Sequence, residues 1–330
     1  MLEIMTNCIT AGEKFFSCRN MIKKFMQKKL TNTESILLVF LTVIFAVFYA
    51  KISYARIVID EIGRRVNVTS APQRIVSLAP GLTEILYTIG LDEKIAGVTS
   101  YCNWPPQARQ KPLIGGFINP SVEKIVSLKP DLIIVTADGN RKDIIQKLER
   151  IGLSVYVTNP SDTAGILKSI LHIGEITNRE TEAGKLVEKL QKRLNNIAEQ
   201  IKHKSKPRVF FQIGLEPVIT VGKGTLINET IERAGGVNVA GLDTARYPRY
   251  STEGIMQASP EIVLFAPMIH DKEFTAVKKF WQEFKGVPAV KNNKIYPVNT
   301  DIISRASPRI VDAIEKMALI FHPDIKRSIP

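Results

Sequence analysis

Asp301 and Arg305 stand four residues apart in TDIISRASPR, a spacing that sets a carboxylate and a guanidinium side by side on one helical face. Such a pair either closes on itself or offers donors and acceptors to a ligand. Aromatic residues gather in comparable places: Tyr101 and Trp104 in SYCNWPP, Phe117 in IGGFINP and Tyr247 in ARYPRY, each just after a run that reads as a strand. Rings of this kind make apolar walls for flat molecules. Groups that break bonds are scarcer. The four histidines, His172, His203, His270 and His322, are scattered, and HExxH, paired CxxC, GxSxG and phosphate-loop patterns are absent. Gly115-Gly116 and Gly235-Gly236 lack the spacing of a dinucleotide fingerprint and read as turns or helix ends. Cys102, beside Tyr101, is one thiol with no partner for a metal. The expectation is capture without catalysis, with no metal and no cofactor.

The elements that must position these residues alternate. Strand signals appear as RIVSL from Arg74, KIAGV from Lys94, DLIIVT from Asp131, SVYVT from Ser154, RVFFQI from Arg208, EIVLFA from Glu261 and KIYPVN from Lys294, with helical patterns between them. This alternation implies mostly parallel sheets covered on both faces, and open sheets of that kind bind ligands where their strands end. From Asp162 to His203 no strand signal occurs, and Leu186, Leu190, Leu194, Ile197 and Ile201 form the stripe of an amphipathic helix. A chain of 330 residues exceeds what one core supports, so two lobes braced by a long helical connector are expected.

The first 55 residues have a different character. A Lys-rich stretch, Lys23 to Lys29, precedes the apolar run ILLVFLTVIFAVFYA, Ile36 to Ala50, and then Ser53-Tyr54-Ala55. This is the pattern of a secretory signal cut after Ala55, the run being shorter than the roughly 20 residues that span a bilayer. A retained membrane anchor is the alternative. Cleavage removes Cys8 and Cys18, leaves Cys102 alone without a disulfide partner, and leaves 38 basic and 29 acidic residues, a net charge of +9. The expected limits are a signal peptide at 1–55, an N-terminal lobe at 56–161, an interdomain helix at 162–205 and a C-terminal lobe at 206–330. The basic residues are dispersed, and no nucleic-acid motif is present.

One phrase occurs twice. SVEKIVSLKPDLIIV, from Ser121, returns 130 residues later as STEGIMQASPEIVLF, from Ser251, keeping Ser, Glu, Ile and Pro in register. Ser begins a helix and Pro ends it before a buried strand. Glu123 and Glu253 fall in the first helical turn, where a carboxylate complements the helix dipole. Equivalent acids on two lobes also suit docking onto a two-fold symmetric partner.

RIVSLAPGLTEILYTIGL, YCNWPP, NPSVEKIVSLKPDLIIVT and SRASPRIVDAIEKM together resemble the periplasmic substrate-binding proteins of iron and vitamin B12 importers, nearest to the vitamin B12-binding members, over residues 56 to 323. The resemblance implies two Rossmann-like lobes joined by a rigid helix, with a transported ligand, a cobalamin-like corrinoid, in the cleft between them. It implies that Glu123 and Glu253 dock on a dimeric ABC permease in the inner membrane, and that the free protein is a periplasmic monomer without enzymatic activity. Family ligand positions fall on Tyr101, Phe117, Thr136, Ile219, Tyr247, Asp301 and Arg305, with Trp104 nearby. The vitamin B12-binding members carry Trp at the positions of Phe117, Thr136 and Tyr247 and Phe at that of Ile219. The smaller aromatic area here leaves haem or an iron chelate as alternative cargo. An enzyme on this scaffold, with Asp301, Arg305 and Cys102 as its only reactive candidates, and a membrane-anchored sensor are the remaining alternatives.

Overall fold

The computed structural model describes residues 40–42, 55–266 and 271–326. The basic stretch Lys23–Lys29 and all but three residues of the apolar run Ile36–Ala50 lie outside them. Among the described residues no helix is long and apolar enough to cross a membrane.

The chain enters through an antiparallel hairpin, β1 (Ala55–Ile59) and β2 (Arg65–Thr69), which the sequence patterns did not announce. It then alternates: β3 (Ile75–Ser77), α1 (Pro80–Thr88), β4 (Ile95–Val98), α2 (Val122–Ser127), β5 (Leu132–Thr136), α3 (Lys142–Arg150) and β6 (Val155–Thr158). The four strands after the hairpin form a parallel sheet in the order β4-β3-β5-β6. The second half contains β7 (Arg208–Gly214), β8 (Ile219–Thr220), α6 (Leu226–Arg233), β9 (Val237–Asn238), α7 (Thr252–Ala258), β10 (Ile262–Phe265), α8 (Asp271–Gln282), α9 (Pro288–Lys291), β11 (Ile295–Pro297), α10 (Thr300–Ile303) and α11 (Ile310–Phe321). Its sheet runs β11-β10-β7-β8 with β9 also on β7, parallel except where β8 turns back on β7. Strands β3, β6 and β10 are buried along their whole length, which is why their sequences are apolar but for the terminal Ser77 of β3 and Thr158 of β6.

The expected helical connector is a pair, Thr163–Ile176 and Glu180–Ile201, here α4 and α5. Asp162 caps the first by accepting the Gly165 N–H at 2.6 Å. The break is local: Asn178 takes φ 56°, and the Arg179 N–H returns to Gly174 O at 2.7 Å. Gly174 also lets the pair close, since a β-carbon there would lie 2.4 Å from the Ala183 methyl. The Leu190, Leu194 and Ile197 stripe of α5 is buried. One continuous apolar core runs from Ile75, Leu132 and Ile134 of the first sheet, through α4 and α5, to Val209, Phe211 and Leu264 of the second. The other face of each sheet has its own core, around Ile133 and Val135 in one half and around Phe210, Val263 and Trp281 in the other.

The duplicated phrase is a duplicated structural unit. Ser121 and Ser251 accept the N–H of Lys124 and Gly254 as N-caps, at 3.2 and 3.1 Å. Lys129 and Ser259, each just before its Pro, take the left-handed φ values of 47° and 44°. The strand that follows, β5 or β10, pairs in parallel with the first strand of its sheet, β3 or β7. The carboxylate after Pro fixes that pairing. Asp131 accepts the backbone N–H groups of Gln73 and Arg74 at 2.7 and 2.9 Å, and Glu261 accepts that of Arg208 at 2.8 Å. The Asp-to-Glu difference therefore keeps one role, holding the entry of a neighbouring strand. Asp131→Ala is expected to cost about 1–2 kcal/mol and Glu261→Ala about half as much, because the first loses two charge-assisted bonds and the second one. Urea midpoints of residues 56–330 check the order, and equal effects would contradict it.

Candidate functional site

A cavity of about 590 Å³ opens between the two halves. Thr136 and Thr158, the last residues of β5 and β6, reach it, so it lies at strand ends where a parallel sheet leaves room. Six expected ligand residues line it: Tyr101, Phe117 and Thr136 from the first half, Tyr247, Asp301 and Arg305 from the second. Tyr101 and Tyr247 are 61% and 55% exposed, which leaves their rings available to a ligand. Trp104 and Ile219 are not on the lining. The Trp104 ring lies under the Arg309 guanidinium, 4.5 Å from its centroid. Ile219 packs on Gly214 as β8 turns against β7. Cys102 is 3% exposed, its sulfur 3.1 Å from the Thr83 hydroxyl and 3.2 Å from that of Thr99. It fills a polar niche of the core.

Asn140 organises one wall of the cavity. Its amide nitrogen donates to Leu78 O at 3.1 Å and to Phe117 O at 3.0 Å, and its amide oxygen accepts the Thr136 N–H at 2.9 Å. Three separate segments are thereby held to one buried side chain. Gly139, at φ 111°, completes the arrangement: the Phe117 ring lies 2.3 Å from where a β-carbon would be. A side chain at 139 would displace the ring.

The facing wall is a strap, residues 245–250, running beside 218–222. Thr220 N–H donates to Pro248 O at 3.1 Å, Gly222 N–H to Arg246 O at 2.8 Å and Tyr250 N–H to Val218 O at 3.0 Å. Tyr250 anchors the strap with its ring edge on Phe210 and its hydroxyl donating to Asp243 at 2.9 Å. Burial and that carboxylate push the Tyr250 hydroxyl up to about 12, so it remains a donor at all ordinary pH. Arg246 and Tyr247 reach the cavity from this strap, and Asp138 from the opposite wall.

Arg305 does more than pair with Asp301. Its guanidinium reaches Asp301 at 2.6 Å, the Asn103 side-chain oxygen at 2.8 Å, Glu84 at 3.0 Å and Tyr101 O at 3.2 Å. Asn103 donates in turn to Asp301 at 2.7 Å, and Arg309 reaches the same Glu84 oxygen at 3.3 Å. Glu84 is 2% exposed. The i,i+4 pair legible in the sequence is thus part of an ionic seam joining the two halves at one end of the cavity. Glu84 and Asn103 are the members of this seam that sequence reasoning missed. Nothing local to TEI or CNW marks them, because their partners lie about 200 residues away.

Glu123 and Glu253 occupy equivalent places outside the cavity. Both are exposed, in the first turns of α2 and α7. In each, its own backbone N–H and then the capping serine hydroxyl hold the carboxyl below the usual glutamate range. Each keeps its negative charge to lower pH than a free glutamate does.

The family model for periplasmic binding proteins matches residues 75–301. An uncharacterised ABC transporter substrate-binding lipoprotein of Bacillus subtilis is 31% identical over 274 residues, 80% of this chain and 85% of that protein. A vitamin B12-binding protein of Vibrio campbellii is 30% identical over 251 residues, 76% of this chain and 90% of that protein. Among solved structures, the periplasmic vitamin B12-binding protein of Vibrio cholerae superposes with a TM-score of 0.68 at 28% identity, over 76% of this chain and 96% of that one. Two α/β halves, a cavity at their strand ends and a family match across both make this chain a member of the periplasmic binding protein family, among the substrate-binding proteins of ABC transporters.

Proposed function

We propose that the chain is the extracytoplasmic binding component of an ABC importer, taking cobalamin or a related corrinoid into the cavity and handing it to a dimeric permease in the inner membrane. The observation that carries this reading is the lining of the cavity: the rings of Tyr101, Phe117 and Tyr247 with Asp138 and Arg246 among them. Apolar walls with a few charged groups suit a broad, flat molecule fringed with amides. The relatives named for vitamin B12, at 30% and 28% identity, support a corrinoid among such molecules. The reading assigns no catalysis to the chain. It takes residues 1–55 as an export signal, 56–161 and 206–330 as lobes and 162–205 as their connector, with a monomer before docking.

Haem or a ferric siderophore is the second reading. Thr136 and Ile219 leave room for it or for a different corrinoid, the first because a hydroxyl stacks poorly on a ring, the second because its side chain packs on Gly214 instead of lining the cavity. Titration of residues 56–330 with cyanocobalamin, haemin and ferric chelates separates the two. Cyanocobalamin absorbance is expected to shift and saturate at one equivalent, and Tyr247→Ala to weaken binding by about 1–2 kcal/mol, five- to thirtyfold. A response to haemin alone moves the assignment to the second reading.

Glu123 and Glu253 are the proposed docking acids, one for each half of a two-fold partner. Reversing both, with Glu123→Arg and Glu253→Arg together, is expected to abolish uptake in cells while the affinity of the purified protein for its ligand stays within twofold. Transport at the parental rate would remove this role.

A further inference from the structure

Gly81 is the second residue of α1 and lies at the edge of the cavity. A β-carbon there would stand 2.4 Å from the carbonyl oxygen of Ala306 and 3.0 Å from its carbonyl carbon. The obstacle is main chain, so no rotamer change relieves it. Ala306 belongs to the other half, between α10 and α11, and it too lines the cavity. The two halves therefore meet backbone to backbone at this point. They are also drawn together there. Glu84, one turn along α1, holds Arg305 at 3.0 Å and Arg309 at 3.3 Å, residues that flank Ala306 in the chain. A buried ionic attraction closes a seam until atoms touch, and the absent side chain of residue 81 decides where that happens.

We propose that Gly81 sets the width of the cleft and, through it, the thickness of the flat ligand that the chain prefers. The effect on width follows from the contact alone, while the effect on ligand choice depends on the cavity being the binding site. A methyl group at 81 forces the Ala306 carbonyl to retreat from 2.4 Å to at least 3.0 Å. A thin plate gripped on both faces then loses contact with one wall, and a gap of about 0.5–1 Å forfeits a quarter to a half of each contact. A thicker molecule, with substituents above and below its ring, loses less.

Gly81→Ala is tested in two ways. With Cys8→Ser and Cys18→Ser in place, spin labels on Gln146→Cys and Lys291→Cys, exposed sites on α3 and α9, report the distance between the halves without any ligand, since buried Cys102 stays unlabelled. The distance is expected to lengthen, and Ala306→Gly added to Gly81→Ala is expected not to restore it, because the blocking atom is the main-chain oxygen. An unchanged distance overturns the proposal whatever the ligand proves to be. Titrations with haemin and cyanocobalamin form the second arm, with selectivity expected to move about tenfold toward the thicker cyanocobalamin. Equal weakening of both overturns the link to ligand thickness. Binding of neither by the parent removes the assignment of the cavity, while the distance measurement still decides the width. Should Gly81→Ala fold too weakly to label, the same distance is read in sucrose, which favours the compact state: a longer distance than the parent's supports the proposal, an unchanged one overturns it.

Discussion

A single buried carboxylate determines how the two halves of this molecule meet. Glu84 is 2% exposed, and one of its oxygens receives both Arg305 and Arg309 from the opposite half. Removing a carboxylate from water costs several kcal/mol, which only well-placed cations offset, so such a group specifies geometry more than it adds stability. Any other approach of the halves would strand that charge. Helix α1 therefore does three jobs within five residues: Pro80 starts it, Gly81 permits close approach and Glu84 fixes the partner.

Around that seam the walls are held by backbone-directed contacts more than by packing of the ligand-facing side chains themselves. Asn140 ties Leu78, Phe117 and Thr136 together, and the pairing of 218–222 with 245–250 carries Arg246 and Tyr247. Groups placed in this way are set before any ligand arrives, so less ordering cost is left for binding. The halves are also joined through α4: at its start the Thr163 N–H and hydroxyl donate to Glu229 of α6 at 2.7 and 3.1 Å, while Ser169 donates to Glu61 of the first half at 2.8 Å. One helix thus bonds to both halves.

What the sequence disclosed depended on range. Buried strands such as DLIIVT and EIVLFA, the amphipathic stripe of α5 and the Ser-Glu-Pro phrase are local patterns, and each appears where it was read. The two-residue strands β8 and β9 are too short to leave a period, and the hairpin at Ala55–Thr69 hid in a charged segment. The interruption between α4 and α5 had only Asn178 as a sign, which competes poorly with forty residues of helical pattern. In the site, the aromatic signal led to Tyr101, Phe117 and Tyr247 on the lining. Arg305 shows the limit: Asp301, four residues away, was legible, whereas Glu84, 221 residues away, was not. Ile219 rests on resemblance alone, and its packing against Gly214 is a tertiary outcome with no local trace.

The apolar interior that passes without interruption from one sheet to the other has a mechanical consequence. Jaws that share an interior cannot gape without exposing it to water, which is costly per unit of area uncovered. The separation of the walls is therefore held by the same burial that stabilises the fold, and the cavity keeps its shape as long as the interior stays dry.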